Sequence, residues 1–399
     1  MQISRKLARA KESGTARLSQ IAREMKEAGR EVYQLATGEP DFDTPSFVIT
    51  AAYEAALSGQ TRYTAVEGTP ALREAIADML RKEFDLECGI GQIIVGTGAK
   101  QLIFNALVAS VNPGDEVIIP APYWVSYPDM VIIADGNPVI VACPAKAGFK
   151  LSADDLEKSI TEKTRWVILN SPCNPSGAVY GKDDLLALAD VIRRHPRVAV
   201  MCDDIYEKIV FDGAKFATMA EVAPDLRDRT LTVNGLSKSH AMTGWRIGYA
   251  AGPDRLVSAM AKLQGQSTTN PSSVSQAAAL AALRGPKEFL EDWRLAYQTR
   301  RNLVFDRLSA IPGLAASQPE GAFYHFVGCE ELYGRRTPAG TLLRNDSEVG
   351  EYLLQASGAA VVPGAEFGCP GYFRLCFAQS DEILAAACAR IGDAVASLS

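Results

Sequence analysis

The chain has 399 residues, 47% hydrophobic and 22% charged, with a formal net charge of −6 and a pI near 5.4. That length predicts a large domain plus a smaller one, and the composition excludes disorder and collagen-like repeats. The acidic balance argues against a general nucleic-acid or anionic-membrane surface, so the expected partners are small molecules, with no nucleic acid and no membrane.

No apolar run reaches the roughly 18 residues needed to span a bilayer, and the opening MQISRKLARAKESG lacks the apolar core of a secretory signal. The first thirty residues are rich in Arg and Lys and fit an amphipathic helix, but Glu12, Glu24 and Glu27 count against an organellar presequence. Eight scattered cysteines without a C-x-x-C pair read as reduced thiols. The expected location is the cytoplasm. Three histidines, His195, His240 and His325, show no metal-ligand spacing, so no metal is expected.

Along the chain, one grammar recurs: a short apolar run stops at small or polar residues, and a helical pattern follows. The runs are IIVGTG before AKQLIFNALVAS, then EVIIPAPYW, WVILNSPCNPSG before a helix near 182–195, VAVMCDDIYEKIV and TLTVNGLSKSH. This is α/β construction around a mainly parallel sheet. After about residue 280 a long charged helical pattern (KEFLEDWRLAYQTRRNLVFDRLSAI) leads to strand candidates at GAFYHF and GYFRLCFA and a final helix. The expected division is an N-terminal arm belonging partly to the small domain (1–45), a large domain (46–285) and a small C-terminal domain (286–399).

Ligands of open α/β sheets lie beyond the carboxyl ends of the strands, so the residues after each run are read together. They are Gly98-Ala99-Lys100, Tyr123-Trp124, Asn170 to Gly177, Asp203 to Tyr206 and Ser237-Lys238. The glycine turn of GTGAKQ opens a helix and can present backbone N–H groups to a phosphate, or be an ordinary strand–helix turn. In GLSKSHAMTGWRIGY a lysine on a small-residue turn stands beside Ser237, with Arg246 shortly after. By composition alone Lys238 and Arg246 could be plain surface residues. GTGAKQ lacks the third glycine of a nicotinamide fingerprint. A DNA-binding regulator would need a module ahead of Gly38, where little room is left.

The run Gly235–Gly248, GLSKSHAMTGWRIG, resembles the cofactor-lysine signature of class I aminotransferases, which depend on pyridoxal 5′-phosphate (PLP). The resemblance continues through ATGEPDFDTP, TRYTAVEGTPALREAI, PYWVSYP, NSPCNPSGAVY, DDIYEKIVFDG, PGAEFG and FRLCFA, so it covers nearly the whole chain. It is similar to the bacterial aspartate aminotransferases of the Iγ (Ib) subgroup. The resemblance implies PLP fold type I, with a mainly parallel seven-stranded mixed sheet and a smaller α+β domain.

It also implies the site. Lys238 carries PLP as a Schiff base, Asp203 pairs with the ring nitrogen, and Tyr206 and Asn174 bond the ring oxygen. Trp124 stacks on the ring. The phosphate is held by the backbone from Gly98 through Ala99 and Lys100, by Ser237 and Arg246, and by Tyr63 from the other subunit of a homodimer. Arg374 grips the substrate α-carboxylate, helped by Asn174, Trp124 and the Gly38 backbone. Lys11, or Lys100, meets a distal carboxylate, while Glu12 and Arg17 depart from the family pattern. Asp204 is expected to cap a following helix, and Tyr123 and Tyr127 to pack in the core. The implied reaction is ping-pong transamination between L-aspartate and 2-oxoglutarate. The alternatives are aromatic or neutral amino acids, a prephenate-accepting variant, or a PLP C–S lyase.

Overall fold

A computed structural model describes residues 4, 6–9 and 15–399, with side chains in the first helix from Gln20 onward. Among the described residues twelve strands form in chain order. They are β1 (Tyr33–Gln34), β2 (Ile93–Gly96), β3 (Glu116–Ala121), β4 (Asn137–Ala142), β5 (Thr164–Asn170), β6 (Ala199–Asp203), β7 (Thr230–Gly235), β8 (Gly248–Ala251), β9 (Tyr324–Gly328), β10 (Ala359–Ala360), β11 (Val362–Pro363) and β12 (Tyr372–Cys376).

Seven of them make one sheet in the order β2-β8-β7-β6-β5-β3-β4. Every pairing is parallel except those of β8, which runs antiparallel to both β7 and β2. The inner strands β5 and β6 carry the unbroken apolar runs WVIL and AVMC, and β7 is buried along its whole length, because both faces of the sheet are covered. Successive side chains alternate between two apolar layers. Ile168, Met201 and Val233 pack with Ile103 and Met130 of the helices Ala99–Ser110 and Ser126–Ile133. Val167, Leu169 and Val200 pack with Leu188 and Ile192 of the helix Lys182–Arg194. That helix has Asp183 and Asp184 in its first turn and Arg193 and Arg194 in its last, the order its dipole favours.

This arrangement brings the carboxyl ends of β2, β3, β5, β6 and β7 to one edge. The residues after β6 depart from expectation. Residues 205–208 form a turn rather than a helix, so Asp204 caps nothing. Its N–H is instead drawn to the Val233 carbonyl at 2.9 Å, and Tyr206, Ile209 and Phe211 turn into a different apolar cluster.

That cluster is built from the C-terminal third of the chain. The helices Glu288–Ser309 and Asp381–Ala396 flank the antiparallel sheet β11-β12-β9, and β1 pairs in parallel with β10. Arg301 is buried there, donating to both Asp212 oxygens at 2.6 and 2.9 Å, and so ties the chain after β6 to the long helix. All eight cysteines are free, and burial pushes the Cys143 thiol up to about 12. No helix among the described residues is long and apolar enough to cross a membrane.

Candidate active site

The strand ends open onto a cavity of about 920 Å³. Lys238 enters it from the turn after β7, and its Nζ donates to the Gly38 carbonyl at 2.6 Å. The Tyr206 and Phe323 rings lie 6.0 and 5.8 Å from that nitrogen. Burial disfavours the ammonium form and pushes Lys238 down to about 8, which makes the free amine available as a nucleophile.

Asp203 ends β6 and is buried on the same cavity. One carboxylate oxygen, Oδ2, accepts from the Tyr127 hydroxyl at 2.6 Å, whereas Oδ1 is buried with no protein partner. Burial raises this carboxyl to about 6, opposed by the Tyr127 hydrogen bond. A buried carboxylate oxygen without a donor is costly unless a bound group supplies one. Asn170 aligns the neighbouring strand ends: its amide donates to the Asp203 carbonyl at 2.7 Å and its oxygen accepts from the Asn174 N–H at 2.8 Å.

An anion cradle lies at the start of the helix Ala99–Ser110. Gly98 has φ 86°, a backbone that favours glycine, and the Arg246 guanidinium lies close against it, with Nη2 2.6 Å from where a Cβ would stand. Gly248 repeats the device beneath, where a Cβ would meet the Ala99 nitrogen at 2.5 Å. Arg246 itself holds a left-handed backbone, φ 53°, with Nη1 donating to the Thr243 carbonyl at 2.9 Å. Ser237 is buried on the same wall. A guanidinium, a hydroxyl and a helix N-terminus together suit a phosphate.

Arg374 projects from β12. Its Nη1 donates to Asn174 Oδ1 at 2.8 Å and its Nη2 to the Ala36 carbonyl at 2.5 Å, while Nε is buried without a partner. Its guanidinium lies over the Tyr324 ring at 4.5 Å. Trp124 lines the cavity with Lys100 Nζ 4.8 Å from its ring, and burial, then Arg246, lowers the Lys100 pKa.

The cavity therefore gathers Gly38, Ala99, Lys100, Trp124, Asn174, Asp203, Tyr206, Ser237, Lys238, Arg246 and Arg374. Tyr63 is not among its walls and is 89% exposed. Lys11 and Glu12 lie outside the described residues, as does the side chain of Arg17. Two residues carry more than sequence reasoning assigned them. Tyr127 is in the core as expected, yet its hydroxyl also holds Asp203, a contact 76 residues away along the chain. Tyr324 had no signal in the sequence, because GAFYHF shows a strand and nothing more.

A covered parallel sheet whose strand ends present a desolvated lysine, a donor-seeking carboxylate and a phosphate cradle defines a PLP-dependent transferase of fold type I. Residues 30–391 match the model of the family "Aminotransferase class I and II", and the chain belongs to that family, whose members depend on PLP. It is 51% identical over 397 residues to the aspartate/prephenate aminotransferase of Cereibacter sphaeroides, covering 100% of this chain and 99% of the relative. The crystal structure of the aspartate aminotransferase from Rhizobium meliloti matches with a TM-score of 0.98 at 49% identity, covering 100% of both chains. The aspartate aminotransferase from Thermus thermophilus with maleate matches at 0.92 and 40%, covering 99% and 100%. The residues present fit the cofactor: Asp203 Oδ1 lacks a donor, and the Gly98 cradle would be filled by any Cβ.

Proposed function

We propose that this enzyme moves the amino group of L-aspartate to 2-oxoglutarate in a ping-pong cycle centred on Lys238. The observation that carries the reading is the presence, on one cavity, of the desolvated Lys238 amine and an Asp203 oxygen with no protein donor. Bound PLP supplies an aldehyde for the amino group and a protonated ring that withdraws electrons from Cα.

The chain's residues do the rest. Asp203 Oδ1 accepts from the ring N–H and keeps it protonated, while Tyr127 steadies the carboxylate. Arg246, Ser237 and the backbone N–H groups from Gly98 to Lys100 hold the phosphate. Tyr206 and Asn174 bond the ring oxygen, and Trp124 restrains the ring. Arg374 holds the substrate α-carboxylate through Nε and its fork, a geometry lysine cannot copy. Lys238 Nζ would take the Cα proton as general base and, as the ammonium, give it back as general acid.

Two features support an acidic substrate: the partly desolvated Lys100 on the cavity wall and the names of the relatives. A second reading, with an aromatic or prephenate-like substrate, is favoured by the apolar wall of Ile103, Val125, Val362 and Phe367 and by the prephenate in one relative's name. Mixing PLP-loaded enzyme with single amino acids and following the cofactor absorbance tests the choice. Fast conversion to the aminated form by aspartate and glutamate is expected. Fast conversion by phenylalanine with little by aspartate would replace the first reading with the second.

A homodimer with shared sites is part of the proposal. The helix Ser46–Leu57 exposes Ile49, Tyr53 and Leu57 at successive turns of one face, close in sequence to the exposed Tyr63. Such a stripe is what a second copy would cover, with Tyr63 reaching the partner's phosphate. The reading also takes the cytoplasm as location and keeps the domain division at residues 45 and 285; the clusters on the two faces of the large sheet lie within 46–285, while Tyr206, Ile209 and Phe211 join the cluster made mainly by residues after 285.

Arg374→Lys keeps a cation but loses the planar fork. The expected result is a fall of about 10²-fold in kcat/KM for amino acids, corresponding to about 2–3 kcal/mol for a charge-assisted pair. Kinetics equal to the unsubstituted enzyme would assign the α-carboxylate to another residue.

A further inference from the structure

Tyr324, the first residue of β9, is buried on the cavity wall between three groups already given roles. Its hydroxyl lies 2.6 Å from that of Tyr206. Its ring is the face on which the Arg374 guanidinium rests, 4.5 Å from the centroid. A Cβ on Gly38 would stand 2.1 Å from the same hydroxyl oxygen, so the glycine whose carbonyl holds Lys238 also leaves room for Tyr324. The register explains the meeting. Phe326 is paired with Arg374 across β9 and β12, and Tyr324, two residues back, shares its face and reaches Arg374 diagonally.

The two hydroxyls set a constraint on protons. Burial raises the pKa of both tyrosines, so each keeps its proton. Two donors facing each other can share only one hydrogen bond. Both protons are used if Tyr324 donates to the Tyr206 oxygen and Tyr206 donates onward into the cavity, where the cofactor's ring oxygen would be the acceptor. In that order the first bond polarises and strengthens the second.

We propose that Tyr324 is a positioning residue with two separable duties: its hydroxyl aims the Tyr206 proton at the cofactor's ring oxygen, and its ring seats Arg374 for the substrate carboxylate. This rests on the roles proposed above for Tyr206 and Arg374. Nothing in the sequence pattern of GAFYHF distinguishes this tyrosine from a core residue, and its duties follow from the pairing of β9 with β12.

The test uses the holoenzyme and four variants: Tyr206→Phe, Tyr324→Phe, the double variant and Tyr324→Leu. The first readout is the pH midpoint of the bound cofactor's absorbance change. A donor to the ring oxygen favours the more negative state reached at high pH, so losing it raises the midpoint. Tyr206→Phe is expected to raise it most and Tyr324→Phe by about half a pH unit. The double variant is expected to match Tyr206→Phe, because Tyr324 acts through Tyr206.

The second readout is KM for the amino donor. It should change less than about twofold in Tyr324→Phe, which keeps the ring, and rise about tenfold in Tyr324→Leu, which removes the cation–π face. If Tyr324→Leu does not fold, Tyr324→Met takes its place. Additive midpoint shifts, or a midpoint that moves in Tyr206→Phe but not in Tyr324→Phe, would overturn the hydroxyl's duty. An unchanged KM on loss of the ring would overturn the other. A midpoint unmoved by Tyr206→Phe itself removes the role proposed for Tyr206, and the hydroxyl's duty with it.

Discussion

Lys238→Ala is expected to lower steady-state transamination by about 10⁴-fold or more, because one amine is asked to hold the cofactor and to move the Cα proton. The physical basis is the environment of Nζ. Burial lowers its pKa to about 8, and the Gly38 carbonyl directs it toward the wall that carries Arg374. At pH 8 about half of such an amine is free, against less than about 1% for an exposed lysine near 10.4. Labelling of the cofactor-free protein with an amine reagent, read by mass spectrometry at Lys238, should therefore rise with pH to a midpoint near 8. Turnover by Lys238→Ala within a factor of a few of the unsubstituted enzyme would remove the lysine from its assigned role. A labelling midpoint above 10 would remove the desolvation argument but not the assignment.

Asp203→Ala carries the second largest expected loss. Taking away one partner of a buried, hydrogen-bonded charge pair costs about 3–5 kcal/mol. At about 1.4 kcal/mol per decade that is a fall of two to three and a half decades in kcat, with weaker retention of PLP. Tyr127→Phe serves as the graded comparison. It leaves the carboxylate and removes one donor at 2.6 Å, for about 1.5–3 kcal/mol. Because Tyr127 would act through Asp203, adding Tyr127→Phe to Asp203→Ala should cost little more. Equal kcat for Asp203→Ala and the unsubstituted enzyme would mean that the carboxylate does not hold the ring nitrogen.

Both residues were legible in the chain because their signals are local. Asp203 ends an apolar run, and Lys238 sits on a turn of small residues after another. A parallel strand end faces the ligand edge wherever its neighbours lie, so the period of the pattern placed both among the strand-end candidates, and the resemblance of GLSKSHAMTGWRIG to the cofactor-lysine signature singled them out. Gly98 was legible for the same reason, as a glycine between strand and helix. What the local signal did not contain was the neighbour that the glycine turn meets, Arg246, 148 positions along the chain, whose guanidinium lies 2.6 Å from where a Cβ would stand.

Asp204 shows the opposite case. An acidic residue at the end of an apolar strand has the local look of a helix cap, and the pattern of DDIYEKIV allowed it. The tertiary structure decided otherwise, since Asp204's N–H bonds β7 and the residues after it are pulled into the cluster built from the C-terminal third. Tyr127 was assigned to the core and does lie there, but its hydroxyl points at Asp203, which no periodicity of SYPDMVII could indicate.

The sequence by itself determined the α/β class, the strand ends that carry chemistry, the family and the cofactor, because these depend on short-range periodicity and on one highly specific motif. The tertiary structure decided which oxygen of Asp203 is left for a ligand, which nitrogen of Arg374 remains free, and that Tyr324 joins Tyr206 to Arg374. Those facts depend on pairings between segments fifty or more residues apart, whose relative placement is set by burying whole faces of sheet and helix rather than by any local preference.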